Sequence, residues 1–261
     1  MIYKETNLST IDRAYTIAFS LRSGSNQICR LLTKYGLGKP DELFQTVPDF
    51  DDGRAGISWF RDVVSRNQSG GVFGSKMAHD HRARLDEVLR AAVSGYGGVG
   101  DLLPNHKWVW LIRRDKVAQA VSLHIAVETG CWREEKGHKR RVCDYDYISI
   151  LSKMMILSAN DIAWETYFNK NNIDPYQVYY EDFFSDSQGE TEKLIDHLGG
   201  TMAVSPDMPD LAIQRDEQNQ WFYERFLQDL ARVGEESFSR DLGVPYAQWN
   251  KFFFERGWTR A

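Results

Sequence analysis

The turn Arg22-Ser23-Gly24-Ser25 carries residue types and a spacing suited to holding an anion. It follows the apolar run Tyr15–Phe19, which predicts a buried strand. A segment with Ile28, Leu31, Leu32 and Tyr35 at helical spacing, Asn26–Tyr35, comes directly after it. The first N–H groups of such a helix lack intrahelical acceptors, and its dipole favours negative charge. Arg22 adds a planar fork matched to phosphate or sulfate oxygens. Gly24 lets the backbone approach an anion, and Ser23 and Ser25 add hydroxyl donors. The ligand class this implies is a phosphorylated or sulfated nucleotide. Two further cations close apolar runs: Lys76 in Val72–Met77 and Arg113 after Lys107–Ile112. Ser122 lies nine residues beyond Arg113, in reach of the same phosphate if the following helix returns over the strand end.

The elements that must position these groups alternate. Strands are predicted at Tyr15–Phe19, Val72–Met77, Lys107–Arg113 and Gln177–Tyr180. Helices are predicted at Asn26–Tyr35, Arg82–Val93, after a capping Asp115, at Tyr147–Phe168 and at Thr191–Leu198. Residues 48–56, with Pro48, three aspartates and two glycines, read as a loop. The alternation predicts an α/β fold with a mainly parallel sheet flanked by helices. Ligands of such sheets sit beyond the carboxyl ends of strands, so Arg22, Lys76 and Arg113 are expected to converge on one crevice. The simplest division is a single domain, 1–261, with a helical insertion and a helical C-terminal part.

The chain of 261 residues has 32 basic and 37 acidic side chains, a net charge of −5, which argues against nucleic-acid binding through the overall field. An anion site must therefore be built locally. Three dispersed cysteines, Cys29, Cys131 and Cys143, form no CxxC pair and fit a reducing compartment. The polar N-terminus and short apolar runs predict a soluble, cytoplasmic protein with no integral membrane segment. Gly95–Gly100 has the GxGxxG spacing but follows a helix, so it reads as a turn. No Walker A motif or GxSxG elbow occurs. His79-Asp80-His81 lacks a third ligand at metal spacing and reads as a polar helix start, and no metal site is expected. His124, His138 and His197 are isolated packing or surface histidines. The basic run Lys136–Arg141 reads as a solvated loop beside Glu134 and Glu135, or as a flap closing over an anion. The aromatic tail Trp249–Trp258 reads as packing, with a subunit interface as the second possibility.

Taken together, RSGSNQICRLL at 22–32, KPDELFQ at 39–45, GVFGSKM at 71–77 and IRRDKVAQAVSLHIAVETGCW at 112–132 resemble the bacterial sulfotransferase family, with a looser match at 214–226. The resemblance implies a P-loop-like fold using 3′-phosphoadenosine 5′-phosphosulfate (PAPS), releasing the 3′,5′-bisphosphate PAP. By that likeness Arg22, Ser23, Gly24 and Ser25, with Asn26, hold the 5′-phosphosulfate, and Arg113 and Ser122 hold the 3′-phosphate. Glu42 matches the general base, and Lys76, with Arg22, serves the sulfuryl group. The acceptor implied is a hydroxyl of a carbohydrate or glycolipid, and a homodimer is expected by analogy. This chain departs from the family pattern at Arg114, Ala118 and Asn26-Gln27. On residue types alone Glu42 also fits a helix-start carboxylate or a ribose binder. Two other readings stay open: a divergent nucleotide-dependent kinase and a non-catalytic nucleotide-binding module.

Overall fold

A computed structural model describes residue 8 and residues 10–50, 52–132, 142–201 and 217–234. The basic run 136–141, the aromatic tail 249–258 and positions 214–216 of the looser match lie outside the described residues. The chain forms two compact units, one drawn from Met1–Ile112 and Asn160–Leu211, the other from Arg113–Ala159 and Ala212–Ala261.

The first unit carries the sheet. Its strands are β1 (Arg13–Phe19), β2 (Val72–Met77), β3 (Lys107–Ile112) and β4 (Tyr176–Tyr179), in the order β2-β1-β3-β4. All pairs are parallel. Residues Ala14–Phe19 and all of β2 are buried, as expected for strands covered on both faces. Ala18 pairs with Met77 and Phe19 with Leu111, so the carboxyl ends of β1, β2 and β3 are level. The direction of strand addition reverses at β1, the position where open α/β sheets place their ligands.

Helices cover both faces. On one, Tyr15, Ile17 and Phe19 pack with Ile28, Leu31 and Leu32 of α1 (Ser25–Lys34) and with α7 (Ser187–His197) through Leu194 and Ile195. The short α6 (Tyr180–Ser185) adds Phe183 there. On the other face, Ala14, Ala18, Phe73, Met77 and Trp108 meet three helices. These are α2 (Gly53–Asn67) through Phe60 and Val64, α3 (His79–Ala92) through Leu85 and Leu89, and α5 (Tyr147–Lys170) through Trp164, Tyr167 and Phe168.

The segment expected as a loop at 48–56 needs correction, because α2 begins at Gly53. Asp52 caps it, its carboxylate accepting from the Ala55 N–H at 2.8 Å. The glycines that suggested a loop are there for close packing. A Cβ on Gly53 would stand 2.7 Å from the Ala92 Cα, and one on Gly56 would stand 2.6 Å from Val88 Cγ1. Helix α3 begins at His79, so the His79-Asp80-His81 run is a helix start, as expected.

The second unit holds α4 (Lys116–Thr129), the first part of α5 and α8 (Glu217–Gly234). Its core joins Ala120, Val121, Leu123 and Ile125 to Ile150, Met154 and Leu157, and to Phe222 and Phe226. Among the described residues no helix is long and apolar enough to cross a membrane.

Candidate active site

The loop leaving β1 is tied down at its root. Ser20, 2% exposed, donates to Asp161 Oδ1 at 2.5 Å, and the Trp164 indole donates to the Phe19 carbonyl at 3.2 Å. The backbone then turns through two left-handed residues, Arg22 (φ 63°) and Gly24 (φ 87°). A left-handed arginine costs on the order of 1 kcal/mol and persists only where its surroundings fix it. Gly24 is required twice over: its φ favours glycine, and a Cβ there would stand 2.8 Å from the Tyr180 ring. Its carbonyl accepts from Gln27 N–H at 3.0 Å, opening α1. Among the described residues no side chain caps that helix, and its first turn has no acidic residue. Ser23 Oγ is buried with no hydrogen-bond partner among the described residues. An uncapped helix start beside an orphaned buried hydroxyl is an arrangement that an oxyanion would complete.

Lys76 lies next to this loop. Its backbone N–H donates to the Asp41 carbonyl at 3.0 Å, which holds segment 41–45 along the free edge of β2. Phe44 anchors the segment: it is 1% exposed, stacks on Phe60 at 5.6 Å and meets Trp59 and Phe73 edge-on. Glu42, in the turn between them, is thereby held with its Oε1 3.1 Å from Lys76 Nζ. The same ammonium donates to Asn26 Oδ1 at 2.5 Å and lies 5.2 Å from the Phe19 ring centroid. The lysine side chain is 3% exposed and that of Glu42 is 22% exposed. Glu42 is not in a helix, so its reading as a helix-start carboxylate falls away.

Arg113 and Ser122 belong to the second unit. Arg113 follows β3 directly, and both residues are buried. The buried Lys116 ammonium donates to the Arg113 carbonyl at 2.6 Å and to Gln119 Oε1 at 2.9 Å. Asp115 caps α4 as expected, accepting from Ala118 N–H at 2.8 Å. His124 is a packing histidine: one ring nitrogen is 3.0 Å from Ser149 Oγ and the other 3.0 Å from the Asp144 carbonyl. Of the residues singled out in the sequence, then, Lys76 is in direct contact with Glu42 and with Asn26, and Asn26 continues the Arg22–Ser25 loop. The Ser20–Asp161 bond and the Asn26–Lys76 bond were not legible, because each joins residues with no local spacing in common.

The profile of the Stf0 sulphotransferase family matches residues 57–229. The chain belongs to that family. Its match takes in Lys76, Arg113 and Ser122, while the Arg22 loop and Glu42 precede it. The Stf0 chain is 25% identical to the trehalose 2-sulfotransferase of Mycolicibacterium smegmatis, over 85% of its own length and 97% of the relative's. The Mycobacterium tuberculosis trehalose 2-sulfotransferase is also 25% identical, over 87% of this chain and 99% of that one. A crystal structure of a sulfotransferase from Alicyclobacillus acidocaldarius aligns with a TM-score of 0.46 at 16% identity, covering 88% of this chain and 96% of that one.

Proposed function

We propose that this Stf0 sulphotransferase moves the sulfuryl group of PAPS to a hydroxyl of a carbohydrate or glycolipid acceptor, with Glu42 taking the hydroxyl proton. The observation that carries the proposal is the pairing of a part-exposed Glu42 carboxylate with the buried Lys76 ammonium at 3.1 Å. A buried cation beside a carboxylate with an open face can receive an anion and a proton donor together. The orphaned Ser23 hydroxyl and the uncapped start of α1 fit a phosphosulfate. In this reading Arg22, Ser23, Gly24 and Ser25 hold the 5′ end, and Arg113 and Ser122 hold the 3′-phosphate. The donor supplies a sulfuryl group that passes to the acceptor oxygen as its bond to the 5′-phosphate oxygen breaks. Glu42 orients the acceptor hydroxyl and takes its proton, and Lys76 and Arg22 balance charge on the sulfuryl oxygens. The two relatives that carry the name trehalose 2-sulfotransferase support a sugar acceptor. Three cysteines without disulfides suit a reducing, cytoplasmic compartment.

Incubation with PAPS and trehalose or other glycans, followed by mass spectrometry, tests the proposal. A sulfated product is expected, along with binding of PAP in preference to nucleotides lacking the 3′-phosphate. Equal binding of ATP with magnesium, and no sulfated product from any glycan, would overturn it.

A further inference from the structure

Lys76 needs fixing in place to serve both a carboxylate and an incoming anion, and the residue that fixes it is one the sequence assigned elsewhere. Resting on the sulfuryl-transfer reading above, we propose that Asn26 is the positioning residue for Lys76. Its amide oxygen holds the ammonium against Glu42, so that one cation serves both the proton acceptor and the sulfuryl group. The sequence places Asn26 among the nucleotide contacts, and the geometry points to a different role.

An ammonium has three N–H donors and no acceptor. One faces Glu42 Oε1 at 3.1 Å and one faces Asn26 Oδ1 at 2.5 Å. The third takes no hydrogen-bond partner among the described residues and is left for a ligand. Because lysine can only donate, the Asn26 amide must present its oxygen to Lys76, which fixes the orientation of that group. The Phe19 ring, 5.2 Å from Nζ, offers only its π face in addition. Asn26 is the second residue of α1, one step beyond the turn that would cradle the phosphosulfate. The lysine tip and the anion cradle are therefore built on the same helical turn.

Charge explains why an amide suits this position. Glu42 already balances Lys76. A second carboxylate in place of Asn26 would hold the ammonium equally well but leave the group net negative, repelling a polyanionic donor. An amide supplies the hydrogen bond and no charge.

The test uses the full chain as N26A, N26D, K76A and N26A/K76A, with folding checked by circular dichroism. For N26A, kcat should fall at least tenfold while the PAP Kd and the donor KM stay within twofold. The double variant should be no slower than K76A, since Asn26 acts through the lysine. N26D should keep the lysine in place but raise the donor KM severalfold. An N26A variant with unchanged kcat and a tenfold higher donor KM would make Asn26 a nucleotide contact and overturn the proposal. Multiplying effects in the double variant would overturn it as well. Acetic anhydride footprinting by mass spectrometry reads the lysine without turnover: acylation of Lys76 should speed up severalfold in N26A, and an unchanged rate sinks the proposal. A wild-type enzyme that sulfates nothing would instead sink the parent reading, leaving the footprint to decide the role of Asn26.

Discussion

Two ion pairs of the sheet-bearing unit differ in how far they are closed. Arg82 and Asp86 are joined within α3, with side chains 11% and 4% exposed. Asp86 also accepts from the Tyr96 hydroxyl at 2.6 Å, and Arg82 lies 4.1 Å from the Tyr167 ring centroid and 3.1 Å from His79 Nε2. Burial first, then the Asp86 charge, pushes the Tyr96 phenol far above its ordinary value, so it remains a donor. Each charge of this pair is surrounded by the protein's own groups. In the Lys76–Glu42 pair the cation is just as deeply buried, but 22% of the carboxylate side chain faces solvent. Both pairs combine a carboxylate with a cation. One is almost closed off from solvent, while the other has an open side, where the proton of the proposed acceptor would arrive.

Exchanging the roles is the strongest way to break this contrast. Glu42→Gln keeps an oxygen for Lys76 but removes the proposed proton acceptor. The kcat should drop by about 10²–10⁴-fold, the usual contribution of a positioned base, with PAP binding unchanged by calorimetry. Stability should fall by less than in the closed pair, because the amide oxygen still accepts from the ammonium and the carboxylate it replaces is part-exposed. Asp86→Ala should do the reverse. Removing one partner of a closed buried pair leaves Arg82 uncompensated, at a cost of about 3–5 kcal/mol in urea denaturation. Turnover per folded molecule should survive. Loss of activity without loss of stability in this variant would place Asp86 in the site and erase the distinction.

How much of this was legible in the sequence follows the same divide between local and long-range contacts. The strand Val72–Met77 was read to the residue, and β1 and β3 to within two, because continuous apolar runs between turn residues have few other uses. The turn after β1 was announced by its Arg-Ser-Gly-Ser composition, but not the left-handed backbone of Arg22. Helix α2 was missed because Gly53 and Gly56 look like loop residues until their proximity to Ala92 and Val88 is known. The contacts of Lys76 with Glu42 and Asn26 depend on the Asp41 carbonyl pairing along the free edge of β2. No periodicity in the chain encodes a pairing of that kind. The family likeness could name Glu42 and Lys76 separately, but not the contact between them.

A third buried cation sharpens the comparison at smaller scale. Arg113 is buried, and its carbonyl, rather than its side chain, receives the Lys116 ammonium. Arg113→Ala therefore leaves that bond in place and removes only the guanidinium. If this group holds a 3′-phosphate, the loss of charge-assisted hydrogen bonds worth about 1.5–3 kcal/mol should weaken PAP binding roughly 10- to 150-fold. A nucleotide lacking the 3′-phosphate should bind the variant and the wild type equally. Equal weakening of both nucleotides would assign Arg113 to the fold.

The smallest effect comes from a polar group the unit keeps uncharged. His106 Nε2 is 2.9 Å from Thr16 Oγ1, which is 3.1 Å from Ser75 Oγ, so a neutral chain joins β1 and β2 to the residue preceding β3. Burial pushes the His106 imidazole down to about 3. The unfolded chain, with an ordinary value near 6.5, binds a proton in the interval where the folded protein does not. Stability from this group is thus complete above about pH 6.5 and is lost as the pH falls toward 3, by at most about 1.4 kcal/mol per pH unit. Urea denaturation of wild type and His106→Gln at pH 7, 6 and 5 should show the two stabilities drawing together as the pH drops. Parallel slopes would mean that the ring protonates in the folded state. In that case the strand junction would tolerate a charge on the ring.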